Sequence, residues 1–301
     1  MIPAQSAIDW QGIEELPGKG KLVLLHFFLV DRPLTRTMQE ETFSHPDVIR
    51  KVREKFTSIR VDSDARPDLF ESTIGGQSGL ATAVLDGEGD VVSVLSGYAG
   101  PQPFLKFLEK ADKGYPALKA ARAAAARGGL SEIHALGEAY DALDSLRRAE
   151  ECFRKVIGGE ARETVHRAKA GSHERMARLC IMRGKNLEAR RHVEEWRKLD
   201  PEGKYGAGDR ILLTEGLVLS VERKHGESVV ALRGALRKFP ASAEADQMHF
   251  ALGFALHQSG QDKPALEALE AGVRKYPESG WAAPSRQQIE HIRNPEPDHQ
   301  H

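Results

Sequence analysis

A small residue recurs along the last two-thirds of this chain at Ala149, Ala189, Ser228 and Ala265, at spacings of 40, 39 and 37 residues. A proline recurs in step with it, at Pro201, Pro240 and Pro277. Two segments also close alike, Leu236-Arg237-Lys238-Phe239-Pro240-Ala241-Ser242 and Val273-Arg274-Lys275-Tyr276-Pro277-Glu278-Ser279. Gly216 and Gly253 fall where two helices must approach closely, and Ala177 takes that place in the second repeat. Self-similarity at such a period requires helix pairs that each bury one face on a neighbour, because no single pair can bury its own.

Leu136-Gly137-Glu138-Ala139-Tyr140, followed by Ala149 and Phe153, resembles the tetratricopeptide pattern of L-G-x-x-Y, then A, then F. The period is longer than the usual value of about 34, so extended helices or longer turns are expected. We read about four repeats over residues 130–293, the last part (Trp281 to Ile292) closing the open end through Ile289 and Ile292. Residues 294–301 have no apolar face and read as a frayed tail. The resemblance implies a concave face lined by positions five, nine and twelve of each first helix. These are Leu213, Leu217 and Ser220 in the third repeat, and Phe250, Phe254 and His257 in the fourth. Leu213, Leu217, Phe250, Phe254 and His257 are therefore the candidate peptide-binding residues, an apolar trough suited to a helix or an extended peptide. The Lys and Asn with which some such repeats grip a C-terminal carboxylate are missing from these positions.

The first 112 residues follow another pattern. Leu22 to Val30 is a near-continuous apolar run, as in a strand buried on both faces. Thr35 to Phe43 reads as helical, and a second helix begins at His45-Pro46-Asp47 with Val48, Val52 and Phe56 on one face. Thr57 to Asp62 alternates as a strand does, and Thr82–Leu85 and Val91–Leu95 flank a turn at Asp86-Gly87-Glu88-Gly89 as a hairpin. Pro101 to Asp112 is an amphipathic helix. The order is β-α-β-loop-β-β-α.

Met38-Gln39-Glu40-Glu41-Thr42-Phe43, Asp47-Val48, Phe56 and Val61-Asp62-Ser63-Asp64-Ala65-Arg66-Pro67-Asp68-Leu69 resemble a branch of the thioredoxin-like proteins. That branch carries W-C-x-x-C-K-x-M-E-x-E-T-F followed by V-D-x-D-x-R-P-D-L. Its two cysteines fall on Arg32 and Thr35 of this chain, its Trp on Asp31, and its cis-proline on Leu80. Redox chemistry needs a low-pKa thiolate and a resolving thiol, and Arg32 and Thr35 supply neither. A cis bond before a residue other than proline costs about 2.5–4 kcal/mol, so a trans peptide is expected at Leu80. Arg32, Thr35 and Leu80 thus mark a degenerate redox site. An anion at the helix start beside Arg32 is the only new chemistry it suggests.

The fold class expected is an α/β thioredoxin-like domain (1–112), a helical connector (113–129) and an all-α tetratricopeptide-like array (130–293). Basic residues (43) nearly balance acidic ones (44), so no overall field would gather nucleic acid. Residues 1–112 carry a net charge of −5 and the remainder +4, which supports two domains of separate composition. Two isolated cysteines, Cys152 and Cys180, describe no disulfide framework. No apolar run approaches the roughly 20 residues of a membrane span, and residues 1–5 carry no secretory signal. A cytoplasmic protein follows as the expectation.

Other motifs are missing. There is no H-E-x-x-H, C-x-x-C, G-x-x-x-x-G-K-[ST] or G-x-S-x-G, so no cofactor or metal is expected. Gly75-Gly76-Gln77-Ser78-Gly79 precedes a strand rather than opening a helix. Among the 12 histidines only His299 and His301 are close neighbours in sequence, with His291 a further weak ligand. The expected function is non-enzymatic: a protein-binding adaptor, similar in domain order to the chaperedoxins, a resemblance that implies co-chaperone-like work. The alternatives are a thiol-disulfide oxidoreductase using Cys152 or Cys180, and a structural scaffold subunit.

Overall fold

The computed structural model describes residues 8–12, 21–160, 162–201, 203, 205 and 208–294. The chain forms two compact units, Met1–Lys155 and Val156–His301. Of the tail expected at 294–301, only Asn294 lies within the described residues.

The first unit contains β1 (Leu22–Phe28), α1 (Pro33–Thr37), a π-helical turn (Met38–Thr42), α2 (Pro46–Lys55), β2 (Phe56–Asp62) and α3 (Pro67–Thr73). The chain continues with β3 (Ala81–Leu85), β4 (Val91–Ser96), α4 (Pro101–Ala125), α5 (Leu130–Ala142) and α6 (Leu146–Gly158). The four strands lie in the order β2-β1-β3-β4. β1 is parallel to β2, and the remaining pairs are antiparallel. A parallel pair needs a crossover, which α1 and α2 provide, whereas β3 and β4 need only their short turn. Strand β1 lies between β2 and β3 and is buried from Leu22 to Phe27, which is why it tolerates so little polarity.

Alternate β1 residues serve the two faces of the sheet. Val23, Leu25 and Phe27 join Ile59, Val61 and Phe70 in one core cluster, with Phe70 of α3 edge-on to Phe27 at 5.1 Å. On the other face, Trp10 meets Phe43 at 5.0 Å, and Phe43 meets Phe104 of α4 at 5.4 Å. His26 is buried beside Phe43, with Nδ1 3.0 Å from the Thr82 hydroxyl.

Two expectations are corrected here. The stretch between β2 and β3 is not all loop, because Phe70 and Thr73 make α3 worth burying against the sheet. The boundary at residue 112, with a connector over 113–129, falls inside α4, a single helix from Pro101 to Ala125 that carries Pro116 in its interior. The helix continues because Leu118 is fully buried and because Gly114 lies so close to Leu143 that a Cβ would come within 2.6 Å of it.

Helix α4 also bolts the first helix pair onto the sheet. Arg122 donates to the Asp86 carboxylate, to the Val91 carbonyl at 2.9 Å and to the Tyr140 hydroxyl at 3.0 Å. Asp86 in turn accepts from the backbone N–H of Glu88 and Asp90, at 2.9 and 3.0 Å, which fixes the β3–β4 turn. Ser93 of β4 donates to the Leu143 carbonyl at 2.6 Å. These bonds explain why α5 and most of α6 belong to the same compact unit as the sheet.

The second unit is built from α7 (His166–Met182), α8 (Asn186–Leu199), α9 (Gly208–Val221), α10 (His225–Lys238), α11 (Ala245–Gln258), α12 (Asp262–Lys275) and α13 (Ala282–Arg293). Successive helices pair antiparallel, and α7, α9, α11 and α13 also touch in series. The periodic residues occupy equivalent places in the helix pairs of both units. Ala149, Ala189, Ser228 and Ala265 are all fully buried. A Cβ on Gly137 would meet Phe153 at 2.5 Å, and one on Gly216 would meet Leu232 at 2.6 Å. Gly253 is packed equally hard against Leu269. The Ser228 hydroxyl donates to the Gly216 carbonyl at 2.8 Å, so a serine is accepted at the small-residue position. Pro201, Pro240 and Pro277 each stand just beyond a helix end, where proline cannot be asked for a helical N–H. The turn within each pair is closed by a residue with left-handed backbone: Asp144 (φ 57°), Gly184 (68°), Arg223 (61°) and Gly260 (72°).

Candidate functional site

Positions five and nine of the first helices set the character of the face shared by α7, α9 and α11. In α7 these are Glu174 and Arg178. Glu174 is buried and accepts a charge contact from Arg210 at 2.8 Å, while Arg178 lies 3.7 Å from Glu244. In α9 and α11 the face turns apolar. Leu213, expected in a groove, is fully buried in the cluster that holds Val229, Leu232, Met248 and Leu252. That expectation is corrected: α10 and α11 close over Leu213 and leave nothing for a ligand. Leu217 is half-buried against the same cluster.

Phe250 and Phe254 stack with ring centroids 6.5 Å apart, and Trp281 stacks on Phe250 at 4.9 Å. Phe254 stays 36% exposed at the outer end of this run. His257 is tied to Asp262 (Nδ1 to Oδ1, 2.6 Å) and lies edge-on to His291 at 5.8 Å. Phe254, Phe250 and Trp281 thus form one stacked aromatic run, with Leu217 half-buried on α9 and His257 three residues beyond Phe254 on α11. Trp281 was the residue missed, and its signal was a Trp at the first position of the closing segment.

Arg32, Thr35 and Leu80, the positions expected to mark a degenerate redox site, gather at one end of the sheet. Arg32 and Thr35 follow the C-terminal end of β1, and Leu80 precedes the antiparallel β3, so the topology places all three at the same edge. Arg32 is exposed at the N-cap of α1, and its side chain makes no cap bond. Thr35 is buried, and its hydroxyl accepts from the Leu29 N–H at 3.4 Å. Leu80 is half-buried, and its carbonyl accepts from the Gly97 N–H at 2.7 Å. Among the described residues every peptide bond is trans, the one at Leu80 included. Val30 and Leu34 beside this edge are 57% and 54% exposed.

Burial and then the Glu151 carboxylate push Cys152 up to about 11. Cys180 is buried, its sulfur 4.0 Å from a Glu188 oxygen in a weak S–H donation. The structure also pairs histidines that are far apart in sequence. His173 of α7 and His192 of α8 have their Nδ1 atoms 2.9 Å apart, and burial lowers His173 to about 4, helped by its neighbour. No spacing rule marked that pair, because the repeat register alone brings residues 173 and 192 together. Among the described residues no three His, Cys, Asp or Glu side chains form a group able to hold a metal. His299 and His301 lie outside those residues. No helix among them is long and apolar enough to cross a membrane.

No protein-family model matches the chain, and no curated protein does. A solved structure of MamA (AMB-1) overlaps 58% of this chain and 94% of its own, at 15% identity and a TM-score of 0.38. That overlap is too loose for any residue to be carried from one to the other.

Proposed function

We propose that this chain is a non-catalytic adaptor that holds an apolar peptide segment of a partner protein on its helical repeats. The observation that carries this reading is the stacked run Phe254–Phe250–Trp281, which ends in a side chain 36% exposed on a face where Leu217 is also half open. Aromatic side chains that keep exposed area in a shallow recess are the usual anchors of protein contacts. We further infer that the α/β region is a thioredoxin-like module kept as a second contact surface. Its strand order, its strand directions and the placement of α1 after β1 support that reading. The exposed Val30 and Leu34 stand beside the positions that the family gives to cysteine chemistry. A co-chaperone-like role is the most specific form of this proposal.

Peptide display against the full chain tests the repeat face. Enrichment of apolar or amphipathic peptides is expected for the wild type and is lost in Leu217→Glu/Phe254→Glu. Equal enrichment on both proteins refutes the face as the binding site. Insulin-reduction assays test the non-catalytic half of the proposal. Turnover that disappears on changing Cys152 or Cys180 to Ser overturns it.

A further inference from the structure

A different surface, independent of the aromatic run, stands out when the turns within the helix pairs are compared. Met182 and Leu187 flank the turn of the second repeat and are 70% and 73% exposed. Val221, which ends the first helix of the third repeat, is 39% exposed. The two turns are neighbours: Asn186 donates to the Val221 carbonyl at 3.2 Å, and Arg190 reaches Glu222 at 2.7 Å. Arg183, Lys185, Arg223 and Lys224 are exposed around these apolar tips. The acids within the turns, Glu188 and Glu222, are held by Lys185 (3.4 Å) and by Arg190 with Lys224 (3.5 Å), and the edge still carries more cations than anions. Glu227, at the start of α10, is the exposed acid nearest in sequence.

The helix pair itself does not require this chemistry. At the places equivalent to Met182, Arg183, Lys185 and Leu187 the fourth repeat carries Gln258, Ser259, Gln261 and Lys263, so it has one cation and no apolar tip there, and its turn folds the same way. Arg223 is more telling still. It occupies the left-handed position filled by Gly184 and Gly260 in its neighbours and by Asp144 in the first pair; unlike aspartate, arginine has no short side chain that eases this conformation by bonding the local backbone. Backbone strain of this kind, on an exposed cation with apolar neighbours, points to a contact made outside the chain.

We propose that this edge of the second and third repeats docks on an anionic lipid bilayer. Met182, Leu187 and Val221 enter the headgroup boundary, and Arg183, Lys185, Arg223 and Lys224 lie among the lipid phosphates and carboxylates. Apolar tips ringed by Lys and Arg combine the two forces that hold proteins at a membrane surface, buried apolar area and attraction to anionic lipid. The geometry favours a bilayer over an acidic peptide because the apolar side chains stand on turn tips. The recess between α8 and α9, lined by Val193, Glu194 and Leu219, contains none of them.

Sedimentation of the full chain with vesicles tests this, using phosphatidylcholine alone and phosphatidylcholine mixed with phosphatidylglycerol. The wild type is expected to sediment only with the mixed vesicles and to be released by high salt. Met182→Ser/Leu187→Ser and Arg183→Glu/Lys185→Glu are each expected to bind at least about tenfold more weakly. Lys113→Glu/Lys198→Glu makes the same charge change at exposed sites elsewhere and is expected to bind like the wild type. Arg223→Gly separates binding from folding: it should melt no lower than the wild type yet bind several-fold more weakly. The proposal is overturned if the wild type ignores anionic vesicles or binds both vesicle types alike, or if the edge variants or Arg223→Gly bind like the wild type. It is equally overturned if the edge proves to bind only polyglutamate, or only a second copy of the chain, with no vesicle binding.

Discussion

Arg122 offers the sharpest test of how the first helix pair is fixed to the sheet. Replacing it with Met keeps the aliphatic stem but removes the donors to Asp86, Val91 and Tyr140. Asp86, whose side chain is 4% exposed, is then left with only the two backbone N–H groups of its own turn. Removing one partner of a buried pair costs about 3–5 kcal/mol, because the other charge stays desolvated. The Arg122 side chain is 19% exposed and Asp86 keeps two donors, so the lower end, about 3 kcal/mol, is the expected loss. In a unit of this size that lowers the melting temperature by roughly 6–12 °C. Hydrogen exchange localises the effect. Amides of α5 should exchange about a hundredfold faster, as a loss of that size implies, while those of α12 are unchanged. A double-mutant cycle with Asp86→Asn should show a coupling above about 1 kcal/mol. If α5 and α12 lose protection equally, or if Arg122→Met costs no more than Arg127→Met at an exposed site, the latch is not what joins the two parts.

Three further outcomes are expected. His26, lowered to about 3 chiefly by burial, and His173, lowered to about 4, are neutral when folded and take up protons on unfolding below their unfolded value of 6.5. Each unit should therefore be most stable above pH 6.5 and lose about 1.4 kcal/mol per pH unit as pH falls toward 4; urea titrations that stay flat between neutral pH and pH 5 contradict this. Gly216→Ala places a Cβ 2.6 Å from Leu232 and should cost about 1–3 kcal/mol by overpacking, partly recovered by adding Leu232→Val, as thermal unfolding would show. Cys152, pushed up to about 11, should react with iodoacetamide at pH 8 orders of magnitude more slowly than free cysteine, and a rate close to that of the free amino acid would mean an activated thiol after all.

The register of the helix pairs was legible in the sequence because it depends on residue size at fixed places. Gly137, Gly216 and Gly253 must be small for Phe153, Leu232 and Leu269 to pack, and those constraints survive in composition alone. The succession of strands along the chain was equally readable, since Leu22 to Phe27 reads as interior and Asp86–Gly89 as a turn. What escaped depended on contacts between distant residues. Arg122 read as one of several cations in an alanine-rich stretch, and nothing local reveals that Asp86, Val91 and Tyr140 converge on it. The sequence placed the end of a helix at Asp112 and a separate connector over 113–129, yet burial of Leu118 and the close approach of Leu143 to Gly114 outweigh the single hydrogen bond that Pro116 removes. Leu213 looked like Leu217 by position, but the two differ because α10 and α11 close over only the first. The aromatic run was half visible: Phe250 and Phe254 announced themselves at i and i+4, while Trp281 comes from a different helix pair.

The Arg122 latch also imposes an order on synthesis. The last strand of the sheet is complete at Ser96, but the counterion of Asp86 arrives only with residue 122 and the acceptor of Ser93 only with residue 143. A chain emerging from the ribosome therefore carries a four-stranded sheet whose hairpin carboxylate has only the N–H groups of its own turn, and no countercharge, until α4 has been made. The sheet becomes a finished surface only as α5 settles on it, so the amino-terminal unit matures late, together with its first helix pair.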